Sequence, residues 1–411
     1  MSQVSDAFTD HYRFAEDYSG IDLSSVLLEP AESVDNLRYE RYTTDSPANR
    51  NGSHAKRLLR SAYYLIRPAL PVSVRKHLQR TALRGWEKLP FPRWPVDCSV
   101  EEIFERLLKV CLESHDGARM PFIWFWPDGY QACTIMTHDV ETAAGRDFVP
   151  RLMDIEESFG IRSSFQLVPE QRYEVPQAYR DDISARGFEV NIHGLNHDGH
   201  LFDERLEFER RARRINEYAR EWAALGFRSP VLYRKQEWFS ALEFSYDMSV
   251  PNVAHLDPQR GGCCTVFPYF IGDILELPLT TTQDYSLFNI IGDFSIELWK
   301  RQMDLILQKR GLATFLLHPD YIRGADTSSV FQSLLEYLTR ICADRHVWWP
   351  LPKQVDAWWT QRNKMKLECR DGKWHVVGPG SERARVAYAS LSGTDVVYQL
   401  EESQRSSATD G

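Results

Sequence analysis

The stretch Ala132-Cys-Thr-Ile-Met-Thr-His-Asp-Val-Glu141 runs from an apolar segment into two carboxylates. Its first residues, 132–137, are typical of a short buried strand. Asp139 and Glu141 lie two positions apart, so on an extended chain both side chains point to the same side. One carboxylate of such a pair can bind a metal ion while the other takes a proton. The alternative is a pair satisfied by backbone amides or by an arginine.

Two more apolar runs end in histidine. Residues 188–192 lead into His193-Gly-Leu-Asn-His197, and residues 312–317 lead into His318. Neutral imidazole is a preferred zinc ligand, and two histidines with one carboxylate leave a position open for water. A histidine at the end of a late strand can act as a general acid, although it can also merely bond to a backbone carbonyl. Together the three stretches predict a metal-assisted hydrolase.

Strand-like and helix-like segments alternate from about residue 130 onwards, which predicts parallel βα units and, with this many units, a barrel. The carboxyl ends of barrel strands form the active site in such folds. The predicted strands are 132–137, 164–168, 188–192, 275–279 and 312–317, and the predicted helices are 147–159, 176–186, 203–225, 296–309 and 330–342.

The C-terminal region has a different pattern. Short alternating runs at 365–369, 373–377, 384–389 and 396–400 are separated by turn residues, among them Asp371-Gly372. Asp-Gly between two such runs is a hairpin signal, so we expect a small antiparallel sheet packed on the barrel. The predicted organisation is a polar, partly ordered arm (1–55), a basic helical region and linker (56–129), the barrel (130–360), a small β subdomain (361–401) and a disordered tail (402–411).

Composition narrows the possible classes of protein. The chain has 411 residues, of which 43% are hydrophobic, so it can bury a large core and is not globally disordered. A net charge of −9 argues against a general nucleic-acid binder. Seven cysteines, an odd number, do not indicate a disulfide framework. No secretory signal is visible at the N-terminus, so a cytoplasmic protein is the expectation.

One segment, residues 56–88, is strongly basic. It holds nine lysines and arginines and a single acid, Glu87, interleaved with leucines and tyrosines. One interpretation is a solvated face on helices that pack against the main domain. The other is peripheral contact with an anionic inner-membrane surface or with a phosphate-bearing lipid carrier.

The order of these elements resembles the NodB-type polysaccharide deacetylases, carbohydrate esterase family four (CE4), over about residues 130–345. The family's five motifs correspond here to Thr137–Glu141, His193–His197, Arg228–Pro230, Tyr246–Ser249 and Leu316–His318. The resemblance implies a distorted (β/α) barrel of about seven strands. It also implies metal-dependent hydrolysis of an amide or ester.

The first motif departs from the common family pattern of two adjacent aspartates, because Val140 occupies the second position and cannot bind metal. By analogy with relatives that have an acid-x-acid spacing, Glu141 becomes the carboxylate ligand beside His193 and His197, and Asp139 becomes the base. The alternative makes Asp139 the ligand and leaves the base unassigned.

The resemblance also implies roles outside the metal shell. Arg228 is expected to pair with Asp139, and His318 to protonate the leaving group with Asp247 orienting it. We expect sugar-stacking surfaces among three aromatic residues, Trp238, Tyr246 and Tyr285.

The function implied is removal of an acetyl group from an N- or O-acetylated sugar in bacterial surface-polysaccharide biosynthesis, with zinc as the preferred ion. The absence of a visible signal favours a nucleotide- or lipid-linked saccharide as substrate. Two alternatives stay open: a metal-independent C–N hydrolase of the same superfamily, and a catalytically inactive barrel that binds glycans.

Overall fold

A computed structural model describes residues 2–15, 34–43, 77–78, 80–115 and 119–401. Most of the basic segment and the predicted tail lie outside these residues, so the expectations for membrane contact and for disorder stay predictions. Among the described residues, no helix is both long and apolar enough to cross a membrane.

The described residues form two compact units. One contains the described residues within 1–34, 101–130 and 357–411, and the other contains those within 35–100 and 131–356. The helices with described bounds are α1 Ser2–Tyr12, α2 Ser99–Ser114, α3 Ala143–Ser158, α4 Gln177–Ala185, α5 Arg205–Trp222, α6 Glu297–Gln308, α7 Pro319–Ile322, α8 Ala325–Asp344 and α9 Pro352–Arg362. The strands are β1 Met120–Ile123, β2 Ala132–Val140, β3 Ser164–Leu167, β4 Glu189–His193, β5 Gly226–Arg228, β6 Tyr246–Asp247, β7 Tyr269–Ile271, β8 Ile274–Glu276, β9 Leu312–Leu317, β10 Val347–Trp348, β11 Lys366–Arg370, β12 Lys373–Val377, β13 Val386–Ser392 and β14 Asp395–Leu400.

The larger unit is built on a nine-stranded sheet. Strands follow the order β10-β2-β3-β4-β5-β6-β8-β7, and β9 also pairs with β2. All of these pairings are parallel except that of β7 with β8. Every residue of β2 and β9 is buried, as expected for parallel strands covered on both faces. The predicted α/β class with a parallel sheet is confirmed.

The sheet does not close into a complete ladder of strands. Between the chain that follows β8 and strand β9, threonine side chains replace backbone pairing. Thr280 Oγ1 donates to the Leu312 carbonyl (2.8 Å) and accepts from the Thr314 amide (2.8 Å), while Thr281 Oγ1 donates to the Thr314 carbonyl (2.8 Å). Within residues 119–401, which are all described, strand pairing therefore does not establish the predicted closed barrel of about seven strands.

The smaller unit contains the antiparallel structure expected near the C-terminus. β11 and β12 form a hairpin, and β1, β13 and β14 form a three-stranded sheet. Strand β1 pairs with β13 from a segment that the sequence pattern assigned to a linker, since Met120 lies opposite Ala389. A strand whose partner lies so far along the chain has no local signal other than its own short apolar run.

We predict that Thr280→Val weakens the larger unit. Valine has nearly the same shape but leaves the Leu312 carbonyl and the Thr314 amide buried without partners. An unsatisfied buried group costs about 1–3 kcal/mol. Urea unfolding should therefore show a lower midpoint. Thr394→Val, at an exposed position beside Asp395, is the matched control, and equal midpoints for both variants would contradict a bridging role for Thr280.

Candidate active site

Six polar side chains meet at the carboxyl ends of four parallel strands, as expected for barrel-like folds. Pairing sets their relative height, since His193 lies opposite Arg228 and His138 opposite Leu317 in the ladders. The six come from β2 and its end, from β4 and the loop after it, from the end of β5 and from the end of β9: Asp139, Glu141, His193, His197, Arg228 and His318.

Glu141 is the common neighbour of the three histidines. Its Oε1 lies 2.9 Å from His197 Nε2, 3.6 Å from His318 Nε2 and 3.9 Å from His193 Nε2. Burial alone would raise the pKa of this carboxyl, but His197 and the neighbouring imidazoles outweigh burial and hold the pKa well below its usual range. Glu141 is therefore an anion at neutral pH.

The donor set of Glu141, His193 and His197 fits a divalent metal ion. The three ligand atoms lie within 4.8 Å of one another. His193 Nδ1 lies 3.1 Å from the Arg228 carbonyl oxygen, which requires the proton on Nδ1 and leaves the lone pair on Nε2. That Nε2 is buried and has no hydrogen-bond partner in the described structure. An unpartnered buried nitrogen that faces a carboxylate and a second imidazole is the arrangement a metal would complete.

His197 is held from its other side by Arg172. The guanidinium Nη2 donates to the His197 carbonyl (2.6 Å) and lies 3.2 Å from His197 Nδ1. Nδ1 therefore accepts a hydrogen bond from Arg172, and the protonated Nε2 donates one to Glu141 Oε1 (2.9 Å). For Nε2 to bind a metal the proton must move to Nδ1, and Arg172 then keeps only its bond to the carbonyl.

Asp139 differs from Glu141 in its partner, which is an arginine rather than a histidine. Arg228 is completely buried, and its Nη1 donates to Asp139 Oδ1 (3.0 Å) and to Thr137 Oγ1 (2.8 Å). Asp139 Oδ2 lies 3.6 Å from His193 Nε2. Burial would raise the pKa of Asp139, but the nearby His193 ring and the Arg228 guanidinium keep the pKa below its ordinary value. The expected Arg228–Asp139 pair is present.

The partner of His318 is Asp284, and the prediction that Asp247 orients this histidine is wrong. Asp284 Oδ1 lies 2.6 Å from His318 Nδ1, and Oδ2 accepts from the His318 amide (2.7 Å). Burial would lower the pKa of His318, but Asp284 and Glu141 raise it well above the ordinary value. His318 is therefore an imidazolium at neutral pH, with Nε2–H on the side of Glu141.

Asp247 instead belongs to a buried carboxyl pair. It accepts from the amide and hydroxyl of Ser249 (2.6 and 2.9 Å). Burial, together with repulsion between the two carboxyls, raises the pKa of its neighbour Glu276 well above normal, so Glu276 holds a proton. Within the described residues, this pair is hydrogen-bonded to Ser249 and Val250, and the carboxylate that bonds to His318 is Asp284.

Two of the three predicted sugar-stacking residues are core residues. Trp238 is 8% exposed and packs on Phe202 and Phe208, and Tyr246 is fully buried with its hydroxyl bonded to Asn191 and Glu189. Because both rings are buried, neither is placed to stack on a sugar, and both predictions are wrong.

Tyr285 does lie near the site, together with a residue that the sequence patterns did not single out. Its ring centroid is 5.2 Å from that of Tyr321, whose ring is 5.2 Å from that of His318. The Leu-x-His motif could have pointed to Tyr321, which stands three residues after His318. The two tyrosines form an aromatic wall that leads to His318.

We predict that Asp284→Asn lowers the pKa of His318. The amide cannot stabilise the imidazolium, so the ring loses its proton at a lower pH than in the wild type. An NMR titration of the imidazole nitrogens measures this directly. Asp247→Asn is the control and should leave the titration of His318 in place; a larger shift from Asp247→Asn would restore the role first expected of that residue.

No family model and no curated protein matches the sequence. Thirty-six solved chains match the structure. A Mycobacterium smegmatis protein described as a polysaccharide deacetylase matches with 20% identity and a TM-score of 0.46, over 58% of this chain and 93% of its own. Puue allantoinase matches with 16% identity and a TM-score of 0.44, over 57% and 92%. A Pseudomonas aeruginosa protein, also described as a polysaccharide deacetylase, has 13% identity and a TM-score of 0.44, over 57% and 92%.

The TM-scores are below 0.5, so these likenesses do not assign an activity to this chain. Two further matches, described as the CE4 domain of a xylanase and as a deacetylase, each share 12% identity with the chain, with TM-scores of 0.35 and 0.34.

Proposed function

We propose that the protein is a metal-dependent deacetylase that removes an acetyl group from an N- or O-acetylated sugar. The observation that carries the proposal is the convergence of a Glu-His-His donor set with an ionised carboxylate and an imidazolium. We place the substrate, a nucleotide- or lipid-linked saccharide or a polysaccharide, in bacterial surface-polysaccharide biosynthesis in the cytoplasm.

Glu141, His193 and His197 are the residues that would hold the ion, and zinc suits two imidazoles and a carboxylate. When bound, such an ion polarises an acyl carbonyl and lowers the pKa of a water molecule. Two features support Glu141 over Asp139 as the carboxylate ligand. Glu141 Oε1 lies near all three imidazoles, and Asp139 Oδ1 is already engaged by Arg228.

Asp139 is the proposed general base. Its lowered pKa keeps it ionised at neutral pH, and Arg228 fixes the orientation of its carboxylate while Oδ2 remains available. It takes a proton from the attacking water as the new bond to the acetyl carbon forms.

His318 is the proposed general acid. It carries a proton at neutral pH, and Asp284 fixes the ring through Nδ1, so that Nε2 delivers the proton. Transfer of that proton to the departing amine nitrogen or alkoxide oxygen releases the deacetylated sugar and acetate. Tyr285 and Tyr321 supply a wall for the sugar next to the acid.

The two alternatives make different predictions. A metal-independent hydrolase would keep its activity after treatment with chelator, and an inactive glycan-binding protein would bind acetylated sugar without releasing acetate. Acetate release from acetylated chito-oligosaccharides, before and after chelation, separates the three.

His193→Ala and His197→Ala should each abolish stoichiometric zinc binding and acetate release, because each removes one of three proposed ligands. Metal content by mass spectrometry measures the first and acetate release the second. Circular dichroism should show a folded protein, since the residues lie at a strand end and in a loop. His200→Ala is the matched control, because that imidazole bonds to Asp203. Full zinc content in the double variant would exclude these ligands.

The two carboxylates should respond differently to amide substitution. Glu141→Gln should weaken zinc binding, whereas Asp139→Asn should retain zinc and lose turnover by about 10²–10⁴-fold, the usual contribution of a general base. Zinc titration and acetate release are measured on both variants. The reverse pattern would exchange the two roles.

A further inference from the structure

A cleft of about 630 Å³ is lined in part by the loop that joins two of the proposed metal ligands. Two of its lining residues, Leu195 and Asn196, stand between His193 and His197 in the chain. Others follow strand β3 or face outward from helix α5, and the full lining is Glu170, Gln171, Leu195, Asn196, Arg210, Arg211, Arg213, Arg214 and Glu217. Its volume is in the range that holds a small ligand.

The arginines of helix α5 are not equivalent. Three of them are paired with acids: Arg210 and Arg211 with Glu207, and Arg214 with Glu170 and Glu217. Arg213 is exposed and, within the described part of the chain, forms no ion pair or hydrogen bond. An ordinary solvated helix face explains the paired arginines, because such pairs form at i,i+3 and i,i+4 spacing. Arg213 has no such partner, so its guanidinium is available to a ligand.

Arg172 is a second cation without an acidic partner. It directly follows Gln171 of the cleft lining, and its side chain is exposed. Its Nη2 is anchored on the His197 carbonyl at 2.6 Å, and among the described residues no carboxylate pairs with it. The anchor fixes a guanidinium at the rim of the ligand set and leaves Nε and Nη1 available.

We propose that this cleft binds an oxyanion, a phosphate or a carboxylate, carried by the saccharide substrate; the proposal rests on the deacetylase function above. A planar guanidinium offers parallel N–H donors that match the oxygens of either group. Among the residues that the structure describes, Arg172 and Arg213 are the two arginines around this cleft that form no ion pair with a carboxylate.

The test uses the full zinc-loaded chain with Asp139→Asn, which prevents turnover, and calorimetric titration with three probes. These are N-acetylglucosamine, N-acetylglucosamine 1-phosphate and N-acetylglucosaminuronic acid. We expect one of the two charged sugars to bind at least tenfold more tightly than the neutral one, with an advantage that shrinks as salt is raised. Which charged sugar binds distinguishes a phosphate from a carboxylate.

Arg172→Gln and Arg213→Gln should each reduce the preference for the charged sugar several-fold, and together abolish it. Arg301→Gln removes the same charge from an exposed arginine on α6, outside the cleft lining, and should leave the preference unchanged. Equal affinity for neutral and charged sugars would overturn the proposal. So would an equal loss for both sugars in Arg172→Gln, since Arg172 would then act only as a support for His197.

Acetate release by the wild-type protein separates this proposal from the proposed function. Release from neutral and charged sugars with equal KM values would leave the deacetylase in place and remove the anion site. Arginine-dependent binding of the charged sugar without acetate release from any probe would leave the anion site and remove the deacetylase.

Discussion

Pairing of strand β2 with both β3 and β9 is the constraint on which the site depends. β2 carries Asp139 and leads directly into Glu141, while β9 leads directly into His318. Because the strands are parallel and buried on both faces, a shift of one residue would turn every side chain to the opposite face. The register therefore fixes which carboxylates face the histidines.

The same sheet positions groups with opposed proton affinities. Asp139 and Glu141 have lowered pKa values because they face imidazoles and Arg228, and His318 has a raised pKa because Asp284 and Glu141 surround it. A carboxylate that stays ionised and an imidazole that stays protonated at the same pH are the two halves of acid–base chemistry. Most of these side chains are buried, so neighbouring protein groups rather than water stabilise both protonation states.

Charge balance beneath the site depends on Arg228. It is buried with Asp139 on one side and bonds through Nε to the Met248 carbonyl on the other (2.9 Å). Asp247 and Glu276 lie nearby, and burial raises the pKa of both carboxyls, most strongly that of Glu276. Asp247, which belongs to the fourth motif, therefore bonds to Ser249 within the sheet rather than to His318. Asp284, in a segment without a recognisable motif, is the residue that positions His318.

The sequence alone predicted the α/β class, five strands and five helices of residues 130–345 to within about five residues, and the proximity of Asp139, Glu141, His193, His197, Arg228 and His318; it did not predict the short strands β5, β6 and β7 or helix α7. Periodicity and strand-end position are local properties, so a single chain displays them. Tertiary structure decided the rest: the partner of His318, the burial of Trp238 and Tyr246, the side-chain bridge through Thr280 and the placement of Arg172 beside His197. Each of these depends on which distant segments come into contact, and no local pattern encodes that.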